Sequence, residues 1–111
     1  MKIQVLYSRQ TGRSEQAEEQ LKQALEATSV DADVEYIEVD GMEDARDKRF
    51  LGTPSIRVAG VDVEYGEREP DEYQQGMRYY NSPEGWKPFP HARLIANAIL
   101  EAAEREKAKG S

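Results

Sequence analysis

The fold of this chain is decided by residues 51–63, which have the sequence LGTPSIRVAGVDV. Polar and apolar residues alternate with period two over the run Ser55–Val58, and again over the run Val61–Tyr65. Between them stands Ala59-Gly60, and glycine is common in tight turns. Alternation of this kind is typical of strands with one buried face. The two runs therefore predict an antiparallel hairpin.

Upstream of the hairpin, the sequence predicts a strand, a helix and a second strand. Residues 3–7 (IQVLY) are β-branched, aromatic or apolar, and they predict a buried strand that leads into a polar loop. Apolar residues at helical spacing then predict an amphipathic helix, whose N-cap is either Thr11 or Ser14. Residues 34–39 (VEYIEV) predict the second strand, which implies a right-handed parallel crossover. Residues 42–50 predict a short helix or helical turn.

Downstream, residues 66–90 contain seven glycines and prolines interleaved with five aromatic residues. They predict an aromatic-rich irregular insertion that packs over the sheet, with a helical turn near Asp71–Gly76. From Pro90 onward, apolar residues at helical spacing predict a C-terminal helix. We find no repeat and no second domain, so residues 1–111 are expected to form a single domain.

The predicted core joins the apolar faces of these strands and helices. Its strand residues are Ile3, Val5, Ile37, Val39, Ile56 and Val58, and its helix residues are Leu21, Leu25, Leu94, Ile95 and Ile99.

Composition limits the available chemistry and partners. Fifteen Lys and Arg against 22 Asp and Glu leave a net charge of -7, which repels nucleic-acid phosphates and anionic membranes. We therefore expect neither as a partner. The chain has no cysteine and a single histidine, so it cannot form a thiolate, a disulfide or a multi-histidine metal site. We therefore expect no metal and no cofactor. No run approaches the roughly 20 apolar residues of a membrane span, and Met1–Gln4 begins no signal peptide, which predicts a cytoplasmic protein.

Residues 51–63, with Gly-Thr-Pro-Ser at 52–55, resemble the thioredoxin-like fold. The stretches 73–80 (YQQGMRYY) and 82–85 (SPEG) resemble a small bacterial subgroup of that family. The resemblance implies an α/β fold of order β-α-β-(α)-β-β-α, with a mixed four-stranded central sheet and helices on both faces. It also implies a cis Thr53-Pro54 peptide bond, with Pro54 in contact with the loop that holds Thr11.

The chain departs from that family at its reactive cysteine. Thioredoxin-like proteins normally carry this residue between the first strand and the first helix, a position that the resemblance places at Thr11. A further cysteine of the subgroup is placed near Met77. A threonine hydroxyl forms no disulfide and is not appreciably ionised at neutral pH, so thiol–disulfide exchange is excluded. We expect a protein that is not an enzyme.

The resemblance implies a vestigial active-site groove. Its residues are Tyr7, Arg9, Thr11, Arg13, Thr53, Pro54 and Met77. In redox relatives, the backbone groups at the position of Thr53 hold an extended peptide or glutathione by strand addition. The simpler interpretation is that Pro54 only shapes the start of a strand.

Three other features have a functional and a structural interpretation each. Arg9 and Arg13 could receive an anion at a helix N-terminus, or they pair with neighbouring acids. Tyr7 is similar to the thiol-activating hydroxyl of glutathione transferases, or it is a packing residue. The aromatic region Tyr73–Phe89 is a second candidate surface for a peptide or protein partner, or it covers the core.

Three hypotheses about function follow from these features. The first is a redox-inactive thioredoxin-like domain that acts as a binding or assembly module. The second is a designed cysteine-free protein on the same scaffold, with no native activity. The third is a non-redox thiol-conjugating enzyme that uses Tyr7, Ser8 or Thr11, although no motif supplies it with a base.

Overall fold

A computed structural model describes residues 1–66, 68 and 73–109, without the side chains of Gln75 and Lys109. The elements are, in chain order, β1 (Lys2–Ser8), α1 (Glu15–Thr28), β2 (Asp33–Val39), α2 (Gly41–Asp47), β3 (Leu51–Thr53), β4 (Ser55–Val58), β5 (Val61–Asp62), β6 (Gln74–Met77), β7 (Tyr80–Ser82), β8 (Gly85–Lys87) and α3 (Ala92–Lys109).

The central sheet has four strands in the order β2-β1-β4-β5. Strands β1 and β2 are parallel, whereas β4 is antiparallel to both β1 and β5. The expectations of an α/β fold, a mixed four-stranded sheet and an antiparallel hairpin after Pro54 are therefore confirmed. The Thr53-Pro54 peptide bond between β3 and β4 is cis, as predicted.

Alternation along β1 separates two hydrophobic clusters, one on each face of the sheet. Ile3 and Val5 pack with residues of β4, α1 and α3. Leu6 points to the opposite face, where it packs with Ala45 of α2 and with Phe50. Helices therefore cover both faces of the sheet, because successive residues of a strand point to opposite sides and both sides of β1 carry buried apolar residues.

The predicted core is largely confirmed, with three residues only partly buried. Ile37 lies on the edge strand β2, which has a neighbour on one side only, and Leu25 and Leu94 pack against the main cluster. Two fully buried aromatic residues were not predicted, namely Phe50 and Tyr80. Both lie outside the periodic runs on which the core prediction rests.

The second strand of the hairpin is shorter than predicted and ends at Asp62. The Asp62 carboxylate accepts hydrogen bonds from the backbone N–H groups of Glu64 and Tyr65 at 2.9 and 3.0 Å. The Asp62 backbone carbonyl accepts one from the Gly66 N–H at 2.9 Å. An aspartate that bonds the backbone two or three residues later stabilises a turn. Residues 63–65 therefore form a turn, and the predicted strand to Tyr65 is wrong.

The segment 66–90 is more regular than the predicted insertion. Strand β6 pairs in parallel with β3, and β7 and β8 form an antiparallel hairpin. The predicted helical turn near Asp71–Gly76 is wrong for residues 74–76, which belong to β6, while Asp71 and Glu72 lie outside the described residues. Ladder bonds to β3 are formed over long range, so no local pattern in the sequence signals them.

Helix α1 begins after Ser14, which settles the choice between the two predicted caps. The Ser14 hydroxyl accepts the Ala17 N–H at 3.1 Å, while Thr11 lies three residues before the cap. The first turn carries Glu15 and Glu18, whose negative charges are stabilised by the positive end of the helix dipole.

We predict that Gly52→Ala destabilises the protein by about 2 kcal/mol or more. Gly52 has φ +109°, and an added Cβ would lie 3.0 Å from both Arg78 Cβ and the Gly76 carbonyl oxygen. Gly60→Ala is the control, because Gly60 has φ +83° with no atom within 4 Å of an added Cβ. Chemical denaturation of both variants isolates the packing contribution, and equal losses would contradict a close β3–β6 approach at Gly52.

Candidate functional site

Thr53 is the point at which three parts of the predicted groove meet. Its buried Oγ1 accepts the Ser8 N–H at 2.7 Å, which connects the end of β3 to the end of β1. Its carbonyl accepts the Arg78 N–H at 2.7 Å, and its register partner on β6 is Met77. The structure therefore brings Thr53 and Met77 together, as the resemblance implies.

Thr11 joins the same group through Ser8. The Ser8 hydroxyl donates to Thr11 Oγ1 at 2.8 Å and accepts the Thr11 N–H at 3.1 Å, while Gly12 N–H donates to the Ser8 carbonyl at 2.8 Å. The two hydroxyls therefore serve a local turn. Pro54 is fully buried, and its carbonyl accepts a hydrogen bond from the Tyr80 hydroxyl. The hydrogen bond to the end of β1 comes from its neighbour Thr53.

The backbone of Thr53 is not offered to a ligand in the way the resemblance implies. Its carbonyl is bonded to Arg78, and β6 lies along β3 where an added peptide strand was expected. The Thr53 carbonyl is therefore not available for strand addition, because the chain's own segment 74–78 pairs there.

Arg9 and Arg13, on either side of Thr11, each pair with a neighbouring acidic side chain. Arg9 pairs with Asp40 at 3.2 Å. Arg13 pairs with Glu18 and lies 3.7 Å from the centre of the Tyr36 ring. Both arginines are thus bound to neighbouring groups, which favours the structural interpretation. Tyr7 is partly buried near the end of β1.

The most strongly constrained polar group was missed by the sequence analysis. Arg78 and Asp62 form a two-pronged ion pair with distances of 2.7 and 2.8 Å, and their side chains are 4% and 8% exposed. Arg78 also donates to Glu64 at 3.1 Å and to the Ser55 hydroxyl at 3.3 Å. Its guanidinium lies 4.4 Å from the centre of the Tyr80 ring. Arg78 thereby connects the segment after β6 to both strands of the hairpin.

Burial and pairing act in opposite directions on these charges. Burial alone would raise the pKa of Asp62, but hydrogen bonds from Arg78 and from the Tyr65 and Glu64 N–H groups hold it below its ordinary value. Burial opposes the charge of Arg78 as well, yet its bonds to Asp62 raise its pKa. Burial raises the pKa of Tyr80, which stays neutral and donates to Pro54.

The segment 77–80 alternates between exposed and buried side chains. Arg78 and Tyr80 point inward, whereas Met77 is 47% exposed and Tyr79 is 55% exposed. Trp86 on β8 is 69% exposed and is the register partner of Asn81. Register places Asn81 and Trp86 on one face of the hairpin, and the exposed Tyr79 directly precedes β7. We call Met77, Tyr79 and Trp86 the apolar face.

We predict that Thr53→Val lowers the free energy of unfolding by about 1–3 kcal/mol. Valine has a similar shape but removes the buried acceptor of the Ser8 N–H. The matched control is Thr28→Val, because the Thr28 hydroxyl bonds only carbonyls of its own helix and is partly exposed. If denaturation gives equal losses for the two variants, the Thr53 bond does not hold β3 to β1.

We predict that Arg78→Met costs about 3–5 kcal/mol of stability at pH 7, because it leaves the Asp62 carboxylate buried without its partner. Adding Asp62→Asn recovers part of the loss, since the amide oxygen still accepts the N–H groups of Glu64 and Tyr65. Denaturation of the two single variants and the double variant measures the coupling.

The pH dependence of stability in the unsubstituted chain and in Arg78→Met tests whether Arg78 lowers the pKa of Asp62. In the unsubstituted chain the pKa of Asp62 is lowered, so its stabilisation is lost as the pH falls below about 4. In Arg78→Met, burial without a partner raises that pKa, and protonation relieves the destabilisation. The stability gap between the two proteins should shrink as the pH falls from 7 to 4. A constant gap would contradict the assignment.

Among the residues that the structure describes, no group of three or more His, Asp and Glu side chains could hold a metal ion. Over the same residues, no helix has the length and apolar character needed to cross a membrane. No protein-family model, no curated protein and no solved structure matches the chain.

Proposed function

We propose that this chain is a thioredoxin-like domain without redox chemistry, and that it binds an extended apolar segment of a partner protein on the apolar face. One observation carries the binding proposal: Met77, Tyr79 and Trp86 are exposed to solvent. The backbone beside Tyr79 is held by buried hydrogen bonds of Arg78 and Tyr80.

The topology supports the thioredoxin-like part of the proposal. A parallel β1-α1-β2 unit is followed by an antiparallel β4-β5 hairpin and a C-terminal helix, with α2 on the opposite face from α1 and α3. The resemblance implies cysteine positions at Thr11 and Met77. Met77 is the register partner of Thr53, and Ser8 is hydrogen-bonded to both Thr11 and Thr53. With no cysteine in the chain, this groove cannot exchange disulfides.

Exposed apolar side chains on a fixed backbone support binding. Large apolar side chains that share one surface cost free energy in water and are enriched at protein interfaces. Arg78 and Tyr80 hold the intervening backbone through buried hydrogen bonds, so the apolar face loses little conformational freedom when it binds. Tryptophan and tyrosine are also the residues that most often dominate binding energy.

Charge and geometry indicate the kind of partner. The chain has a net charge of -7, so a neutral or basic segment is favoured over an acidic one. Trp86 stands on the two-stranded β7–β8 sheet and Tyr79 directly precedes β7, which suits an extended segment with apolar residues at alternate positions. Strand addition at Thr53 is not required, because β6 already pairs with β3.

We predict that selection of displayed random peptides against the whole chain yields segments with alternating apolar residues. Trp86 is the one tryptophan of the chain, so its fluorescence reports binding directly. Calorimetry with a selected peptide should show at least tenfold weaker binding to Tyr79→Ala and to Trp86→Ala, as expected for residues at the centre of an interface.

Leu100→Ala is the matched control, since Leu100 is also half-exposed but lies on α3. Its affinity for the selected peptide should be unchanged. Selection of no peptide, or equal losses in Leu100→Ala and Trp86→Ala, would refute binding on the apolar face.

A further inference from the structure

A second feature of the surface is a pocket of about 320 Å³ whose lining includes Tyr73, directly before the first residue of β6. Its functional side chains are Arg49, Arg57, Arg68, Tyr65 and Tyr73, which we call the arginine pocket. Its volume falls within the range of about 300–1,000 Å³ that is usual for small-molecule sites. Three arginines in one pocket stand out in a chain with 22 acidic residues.

Among the described residues that line the arginine pocket, three arginines stand against one acidic residue. Asp62 is the acidic residue among the described lining residues, and both of its carboxylate oxygens are bonded to Arg78. That carboxylate acts on Arg57 through its charge, but within the described part of the chain it makes no hydrogen bond to Arg57 or Arg68. Arg49 also lines the pocket, and it has an interaction of its own.

Arg57 is held in place and still has donors to offer. Its Nη2 donates to the Lys48 and Arg49 carbonyls at 2.6 and 2.8 Å, at the C-terminal end of α2. Within the described part of the chain, its Nε and Nη1 make no hydrogen bond, and no carboxylate lies within ion-pair distance. Burial in the first place, and then the charges of Arg49 and Arg78, lower the pKa of Arg57 despite the attraction of Asp62.

Arg68 and the two tyrosines complete the wall. Arg68 donates to the Tyr65 and Glu64 carbonyls at 3.0 and 3.2 Å, and its guanidinium lies 5.6 Å from the centre of the Tyr65 ring. Arg57 and Arg68 thus bind backbone carbonyls, in contrast to Arg9, Arg13 and Arg78, which pair with carboxylates. Both arginines line the same pocket, and each has N–H donors beyond those that bind the carbonyls.

We infer that the arginine pocket binds a phosphate monoester, with the phosphate held by Arg57 and Arg68 and the organic group against Tyr65 and Tyr73. A dianion with three acceptor oxygens matches several planar guanidinium forks better than a carboxylate does. The aromatic rings provide an apolar surface for the organic group. This site is separate from the apolar face and does not depend on the proposed function.

The test titrates phenyl phosphate, inorganic phosphate and benzoate into the whole chain at constant ionic strength. Binding is measured by calorimetry and by amide chemical shifts. Phenyl phosphate should bind saturably and more tightly than inorganic phosphate or benzoate, with the largest shifts at the lining residues Gly60 and Gly66. Arg68→Gln should weaken binding about tenfold, the expected loss for one charged hydrogen-bond donor.

Arg46→Gln is the matched control, because Arg46 is exposed on α2 and is not among the lining residues. This variant changes the net charge equally and should keep the affinity within about twofold. Equal weakening in the two variants would show general charge attraction and overturn the assignment. No saturable binding, shifts away from Gly60 and Gly66, or tighter binding of benzoate would each overturn it as well, and the shift measurement needs no variant.

Discussion

The fold depends on burying one arginine after β6 against an aspartate of the hairpin. Arg78 and Asp62 are both removed from water, and each loses favourable solvation that only close, well-aligned contacts can replace. The two parallel bonds, the added donation to Glu64 and the Tyr80 ring provide those contacts. Asp62 accepts the N–H groups of the following turn as well, so the same carboxylate ends β5. One charge pair therefore fixes both the hairpin and the segment that crosses it.

This constraint also determines which side chains reach the surface. With Arg78 and Tyr80 directed inward, the residues between and before them are directed outward, which exposes Tyr79 and Met77. The Arg78 N–H bonds the Thr53 carbonyl, so the edge at which a peptide would add is closed by the chain itself. Thr53 and Pro54 of the implied groove are therefore buried, whereas Met77 of the same groove lies on the surface.

Local patterns in the sequence were sufficient for the first half of the fold. Period-two and helical spacing predicted β1, α1, β2 and the hairpin, because each pattern reflects burial of one face of one element. The β3–β6 pairing and the burial of Arg78 could not be predicted in this way. Both depend on partners distant in the chain, and a charged residue is assigned to the surface unless its partner is known. Thr11 and Met77 were placed beside Thr53 by resemblance, and Thr53 hydrogen bonding and register connect them.

The apolar face and the arginine pocket lie at the two ends of β6, and both depend on its pairing with β3. Tyr73 precedes β6 and lines the pocket, while Met77 ends the strand on the apolar face. A change at Arg78 would disturb the anchor of one surface and release the Asp62 carboxylate into the other. Such a variant cannot separate the two roles. Trp86 and Arg68 each belong to one surface and contribute little to the core, so substitutions there separate the two binding activities without altering the shared framework.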